Sequence, residues 1–167
     1  MNYKMIVLDL DGTLTNRDKE ITPRTREVLM EAQRQGKIVV LASGRPTQGV
    51  APLARELELE KYGSYILSYN GGMITNCRTG KTVAAALLPP EINRKVIGLA
   101  REQQVNILTY EKDTIITLKK KDPYVELEAR INQMEIKEIS DMENYVEFAV
   151  PKFLMVDDGD YLAMVEP

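Results

Sequence analysis

The chain has 167 residues, 44% of them hydrophobic, with a formal net charge of -3, one cysteine and no histidine. That length can bury one full core or a compact domain with a small second one, while the acidic balance excludes a general binder of nucleic acid or anionic membrane, which needs clustered Lys and Arg. Without histidine there is no Ser-His-Asp or Cys-His catalysis and none of the usual zinc sites, so any chemistry runs on carboxylates, hydroxyls, lysine, arginine and a hard, oxygen-bound cation.

Met5 to Leu10 reads as a buried strand, and it runs directly into Asp9, Asp11 and then Gly12-Thr13. Thr22-Pro23 supplies an N-cap and a first helical position, and Gly36 closes that helix. The run "KIVVLAS" from Lys37 is continuous rather than alternating, as a parallel strand covered on both faces should be. A helix from about Thr47 to Glu60 carries Val50, Leu53, Ala54 and Leu57 at helical spacing, and "SYILSYNGG" from Ser64 gives a third strand. Strand, helix, strand, helix, strand predicts an α/β fold with an open parallel sheet, in which ligands bind beyond the carboxyl ends of the strands. Asp9, Asp11, Ser43 and Asn70 all fall at those ends.

After Gly72 the pattern changes to a hairpin around Thr79-Gly80, and Pro89-Pro90 marks the entry to a helix from about Glu91 to Gln104. The runs "VNILTY" and "DTIITL", a helix from about Pro123 to Met134, and the runs "YVEFAV" and "KFLMVDD" predict a second sheet-plus-helix domain of antiparallel character. "DYLAMVEP" has the pattern of a helix just starting, with Asp160 as N-cap, yet the sequence stops at Pro167. A first domain of three strands and a second that ends on an opening helix make the expected architecture larger than the chain. The single cysteine, Cys77, fits a reducing compartment, no leader pattern opens the sequence, and no apolar run approaches the ~20 residues that span a bilayer, so a cytoplasmic protein is expected.

One residue apart on an extended segment, Asp9 and Asp11 converge on one point and repel unless a cation or a shared proton joins them. Mg²⁺ suits such a pair, since it prefers oxygen and keeps coordination positions for water and a phosphate. In that setting Asp9 can attack phosphorus and Asp11 can hand a proton to the leaving oxygen, while Gly12-Thr13 lets the backbone turn tightly against the phosphate. The bland alternative for Asp-x-Asp-Gly is a turn.

"IVLDLDGTL" resembles the first motif of the haloacid dehalogenase superfamily, "VVLASGRP" its second in the form carried by the Cof-type sugar-phosphatase branch, and "SYNGG" the Asn-Gly stretch of that branch. The resemblance implies a three-layer Rossmann-like core, partial here, over residues 1–82, and an inserted α/β cap over 83–167. It makes Asp9 the phosphoryl acceptor and Asp11 the general acid/base, with Mg²⁺ held by Asp9 and by the backbone carbonyl of Asp11. It places Ser43 on the transferring phosphoryl oxygen, Gly44 and Arg45 at the start of the next helix, and Asn70 and Gly71 at the substrate entrance. From the residues alone, Ser43 also reads as a simple helix N-cap, which is compatible with phosphate binding, and Arg45 reaches either substrate or only a surface carboxylate.

The family's third motif, a Lys, and its fourth, a Gly-Asp with a further Asp four positions on, have no counterpart in the 167 residues. Gly159-Asp160 is followed four positions on by Met164, so Asp157, Asp158 and Asp160 read as a turn, and Lys152 reads as a cap residue rather than the catalytic lysine. The expectation is a Mg²⁺-dependent phosphatase of small phosphorylated metabolites, working through an aspartyl-phosphate and impaired in this chain, with a homodimer through an exposed sheet edge. A phosphomutase and a non-catalytic phosphate-binding or interaction module are the alternatives. A bare nucleotide-binding domain lacks its glycine-rich loop.

Overall fold

The computed structural model describes residues 3–165, in two compact units that divide between Ala86 and Leu87. The first unit contains β1 (Met5–Asp9), α1 (Pro23–Arg34), β2 (Ile38–Ala42), α2 (Thr47–Glu56), α3 (Leu59–Tyr62), β3 (Tyr65–Ser68), β4 (Met73–Asn76) and β5 (Thr82–Ala85). Its sheet has the order β1-β2-β3-β4-β5, with β1, β2 and β3 parallel and the β4–β5 hairpin antiparallel to them. Because β5 pairs with β4, the first unit runs four residues past the sequence boundary of 82. The outer bounds of the two expected domains, 1 and 167, lie outside the described residues.

Local signals explain these elements. Thr22 caps α1 by accepting from Thr25 N at 3.3 Å, Pro23 opens it, and Gly36 with φ +79° carries the chain out in a conformation that a side chain disfavours. The expected helix 47–60 is interrupted where Glu58 turns left-handed at φ 52°, leaving α2 and the short α3. In register across the sheet, Leu8 faces Leu41 and Leu41 faces Ile66, and this row packs with Leu29 of α1, Val50 and Leu53 of α2 and Leu57 just after it in one core. Both helices therefore cover the same sheet face.

That arrangement corrects the reading of Met5 to Leu10 as a wholly buried strand. Ile6 and Leu8 turn toward the helices, whereas Met5 and Val7 alternate to the other side and stay 50% and 54% exposed. Among the described residues β1 pairs only with β2, so its outer edge is free.

The second unit contains α4 (Pro90–Glu102), β6 (Asn106–Glu111), β7 (Thr114–Thr117), α5 (Pro123–Asn132), β8 (Glu135–Glu138), α6 (Met142–Tyr145), β9 (Leu154–Val156) and α7 (Gly159–Val165). Its sheet order is β8-β7-β6-β9, antiparallel except for the parallel β7–β8 pair, so it is mixed rather than antiparallel throughout. Ile97 and Ala100 of α4, Ile107, Ile116, Met142, Val146 and Val150 form its core. The run "YVEFAV" is not a strand. Asp141 accepts from Asn144 N at 3.1 Å and starts α6, after which Val146 and Val150 reach the core from a loop that makes only one bridge, Val150 to Leu88. Strand β8 escaped the sequence reading because "EIKE" turns only Ile136 inward. Asp158, rather than Asp160, caps α7: its Oδ1 accepts from Asp160 N at 3.0 Å. Among the described residues, no helix is long and apolar enough to cross a membrane.

Candidate active site

Strand β1 stops at Asp9, opposite Ala42 of β2, because the next residue, Leu10, is fully buried and its carbonyl gathers the following turn. That oxygen accepts from Thr15 N at 2.9 Å, Thr15 Oγ1 at 3.0 Å and Leu14 N at 3.1 Å. Gly12 closes the turn at φ +82°, where glycine alone is free of strain. Asp9 and Asp11 thus flank a buried leucine, and both are exposed.

Their surroundings differ. The Asp9 carboxylate has no hydrogen-bond or ion-pair partner among the described residues, while its backbone oxygen accepts from Leu14 N at 3.1 Å. Asp11 is held on both oxygens: Arg45 donates Nη2 to Oδ1 at 2.6 Å and Nε to Oδ2 at 3.1 Å, and Lys19 donates Nζ to Oδ1 at 2.8 Å. The Arg45 hydrogen bonds, opposed by burial and helped by Lys19, hold the Asp11 carboxyl below the usual carboxylate range. Arg45 is nearly buried in making this contact, with 15% of its side chain exposed against 57% for Lys19. In the structure Arg45 thus reaches a carboxylate, that of Asp11.

The ends of β2 and β3 are tied to each other. Ser43 N donates to Leu67 O at 2.9 Å, Asn70 N to Ser43 O at 3.2 Å, and Tyr69 N to Arg45 O at 3.0 Å. Ser43 Oγ accepts from Arg45 N at 3.1 Å, which turns the loop ahead of α2; the residue before that helix is Pro46, so Ser43 is not its N-cap. Tyr69, Asn70 and Gly71 are left-handed in succession, at φ 54°, 57° and 87°, a run of strain for the first two that the surrounding bonds maintain. Asn70 packs so closely on Gly44 that a Cβ there would lie 2.5 Å from its Oδ1. Ser43, Gly44, Arg45, Asn70 and Gly71 therefore form one framework, joined to Asp11 through Arg45. Thr13 is exposed on the turn and makes no side-chain bond to that framework among the described residues.

Sequence reading missed Lys19. The available signal was Asn16, whose Oδ1 accepts from both Asp18 N and Glu20 N, at 2.9 and 3.0 Å, folding the loop after the first motif back on itself. For a cation, the donors in place are the unpartnered Asp9 carboxylate and the backbone oxygen of Asp11, since the Asp11 carboxylate is neutralised by Arg45 and Lys19. An oxygen-only set with a single free carboxylate suits Mg²⁺, which is commonly bound by one or two carboxylates with water and phosphate completing the shell. Among the described residues, no three His, Cys, Asp or Glu side chains gather at one point.

Other candidates take structural places. Asp157 Oδ1 accepts from Asp158 N at 2.8 Å in the turn leading to α7. Lys152 lies 5.6 Å from the centre of the Tyr110 ring in the second unit, where burial lowers its pKa. Cys77 packs against the first core, and burial pushes its thiol up to about 11.

The sequence pattern of the haloacid dehalogenase-like hydrolases matches residues 6–166. The chain is similar to the Streptococcus pyogenes serotype M6 protein M6_Spy0533, 30% identical over 163 residues that make up 97% of this chain and 60% of that protein. It is also similar to the 5-amino-6-(5-phospho-D-ribitylamino)uracil phosphatase YwtE of Bacillus subtilis, 28% identical over 68% of this chain and 38% of the relative. Among solved structures, a haloacid dehalogenase-like hydrolase from Bacteroides thetaiotaomicron superposes with a TM-score of 0.89 at 47% identity, covering 99% of this chain and 62% of that one. The chain thus spans less than two thirds of the length of these relatives.

Proposed function

We propose a phosphatase reading from one premise: the chain belongs to the haloacid dehalogenase-like hydrolase family. The proposed reaction is hydrolysis of a small phosphate monoester by way of an aspartyl-phosphate on Asp9. The observation that carries it is the contrast between two aspartates two positions apart, one whose carboxylate has no partner among the described residues and the other held through both carboxylate oxygens by Arg45 and Lys19. An unpartnered carboxylate at a strand end is available as a nucleophile. A carboxylate fixed in place is suited to proton transfer.

In the first step Asp9 attacks phosphorus, the bond to the ester oxygen breaks, and that oxygen takes a proton from Asp11. In the second step a water gives its proton back to Asp11 and attacks the phosphorus, releasing inorganic phosphate and restoring Asp9. The lowered pKa of Asp11 keeps it in the ionised form that accepts a proton, at reduced basicity; both the base and the acid role require the substrate's own anion to draw cationic charge away from it. Ser43 and the backbone ahead of α2 would receive the transferring phosphoryl group, because the amino end of a helix favours an anion. Gly12 and Thr13 would shape the turn beside it, and Asn70 and Gly71 would line the entrance.

Asp9 and the backbone carbonyl of Asp11 would hold Mg²⁺, which when bound neutralises charge on the phosphoryl oxygens. One side-chain carboxylate and one carbonyl form a weak cage, so these 167 residues by themselves are proposed to be poorly active. The substrate class, a small phosphorylated metabolite, is supported by the relative YwtE, whose name gives such a compound as its substrate. A cytoplasmic setting and a homodimer through the β1 edge belong to the same proposal.

The test is release of phosphate from p-nitrophenyl phosphate with and without Mg²⁺, beside Asp9→Asn. A Mg²⁺-dependent rate that the substitution abolishes supports the reading. A rate that survives Asp9→Asn would remove Asp9 from the chemistry.

A further inference from the structure

Lys19 has no counterpart among the motif residues, and three features of its loop converge on the Asp11 carboxylate. The loop is anchored at both ends, by buried Thr15 and Ile21, which are joined in an antiparallel bridge. Between them Asn16 organises the turn: it accepts from Asp18 N and Glu20 N through its side chain and from Lys19 N through its backbone oxygen at 3.1 Å. Lys19 itself sits at φ 65°, a conformation that strains a residue with a Cβ and persists where the surroundings impose it. The result is an ammonium 2.8 Å from Oδ1 of Asp11, the same oxygen that Arg45 Nη2 approaches at 2.6 Å. Oδ2 receives one longer bond, from Arg45 Nε at 3.1 Å.

We propose that Lys19 is a positioning residue for the phosphatase reaction: with Arg45 Nη2 it fills Oδ1 of Asp11, so that Oδ2, which accepts only the longer bond from Arg45 Nε, is the oxygen that faces the substrate's ester oxygen. This inference rests on the phosphatase reading. The two cations divide the work by depth. Arg45, nearly buried and tied by its own backbone to the loop after β3, sets the plane of the carboxylate. Lys19, exposed and carried on the loop after β1, fixes which oxygen points inward. Losing Lys19 lets the carboxylate rock on the Arg45 fork, which disturbs proton transfer while leaving phosphoryl binding in place.

Two measurements test it. The first needs no activity: acetylation of Lys19 by an N-hydroxysuccinimide ester, followed on its peptide by mass spectrometry in this chain, in Asp11→Asn and in Asp9→Asn. Contact with Asp11 screens the Lys19 Nζ from the ester, so Asp11→Asn should raise the rate roughly threefold or more, and Asp9→Asn should leave it unchanged. Equal rates in all three proteins overturn the pairing. The second uses Lys19→Met and Lys19→Arg beside the unsubstituted chain in the presence of Mg²⁺, with p-nitrophenyl phosphate and glycerol 2-phosphate. Lys19→Met should lower kcat about 10-fold for the glycerol ester, whose leaving oxygen needs a proton, and less for the nitrophenyl ester, with KM within about twofold for both. Lys19→Arg should restore most of that loss. A raised KM with unchanged kcat would make Lys19 a binding group and overturn the proposal. If the unsubstituted polypeptide releases no phosphate, the phosphatase reading fails, and the acetylation rates still decide whether Lys19 holds Asp11.

Discussion

Arg45 grips Asp11 through both carboxylate oxygens across 34 residues of sequence, Nη2 to Oδ1 at 2.6 Å and Nε to Oδ2 at 3.1 Å. A guanidinium fork makes two parallel bonds where an ammonium makes a point contact. Arg45→Lys should therefore keep the charge and lose the orientation, lowering kcat/KM by roughly 10- to 100-fold while barely moving the unfolding temperature. Steady-state kinetics beside a thermal melt measure both. An Arg45→Lys protein with unimpaired kcat/KM would show that charge alone suffices at this position.

Gly44 is a sterically enforced glycine, because a Cβ would stand 2.5 Å from Asn70 Oδ1. That atom is the end of a side chain, so Gly44→Ala should displace the Asn70 amide at a cost of about 1 kcal/mol rather than unfold the unit. The expected signature is a KM raised several-fold, roughly 3- to 10-fold, with a small loss of stability. If KM stays fixed, Asn70 does not contribute to the entrance.

Cys77 supplies a pH dependence with a defined sign. Burial raises its thiol from 9.0 to about 11, so the folded chain binds this proton more tightly than the unfolded chain does. The associated stability is complete below pH 9 and is lost as pH rises toward 11. Alkylation by iodoacetamide should be slow in the folded protein at pH 8, accelerate as pH approaches 11, and jump at pH 8 when urea unfolds the chain. A folded-state rate at pH 8 equal to that of the unfolded chain would contradict the burial.

Strand β1 leaves one edge free among the described residues, with Met5 and Val7 exposed beside it. Unprotected edges with apolar side chains pair with other strands. Sedimentation of this chain should show concentration-dependent self-association, and Val7→Lys should suppress it. A monomer at every concentration would rule out the edge as a dimer interface.

Most of the first unit was readable in order because its signals are local. A proline at the first turn of α1, glycine after it, continuous apolar strands and an Asn-Gly after β3 each act within a few residues. The motif residues Asp9, Asp11, Ser43 and Asn70 were legible for the same reason, since parallel pairing delivers strand ends to one rim. Strand β8 and the loop 146–150 were not. In "EIKE" one inward Ile carries the whole pattern, and in "YVEFAV" two valines reach the core from irregular backbone that looks like a strand in sequence.

By itself, then, the sequence determined the order of strands and helices in the first unit, the polar residues at the strand ends and the absence of histidine chemistry. These follow from backbone preferences and side-chain identity, which operate without long-range contacts. Only the tertiary structure decided that Arg45 and Lys19 meet on Asp11, that Gly44 yields its space to Asn70, and that one face of β1 stays open. Each of those depends on residues brought together by the β1–β2 and β2–β3 pairings or by the fold of the loop after β1, and no spacing rule along the chain encodes such distances.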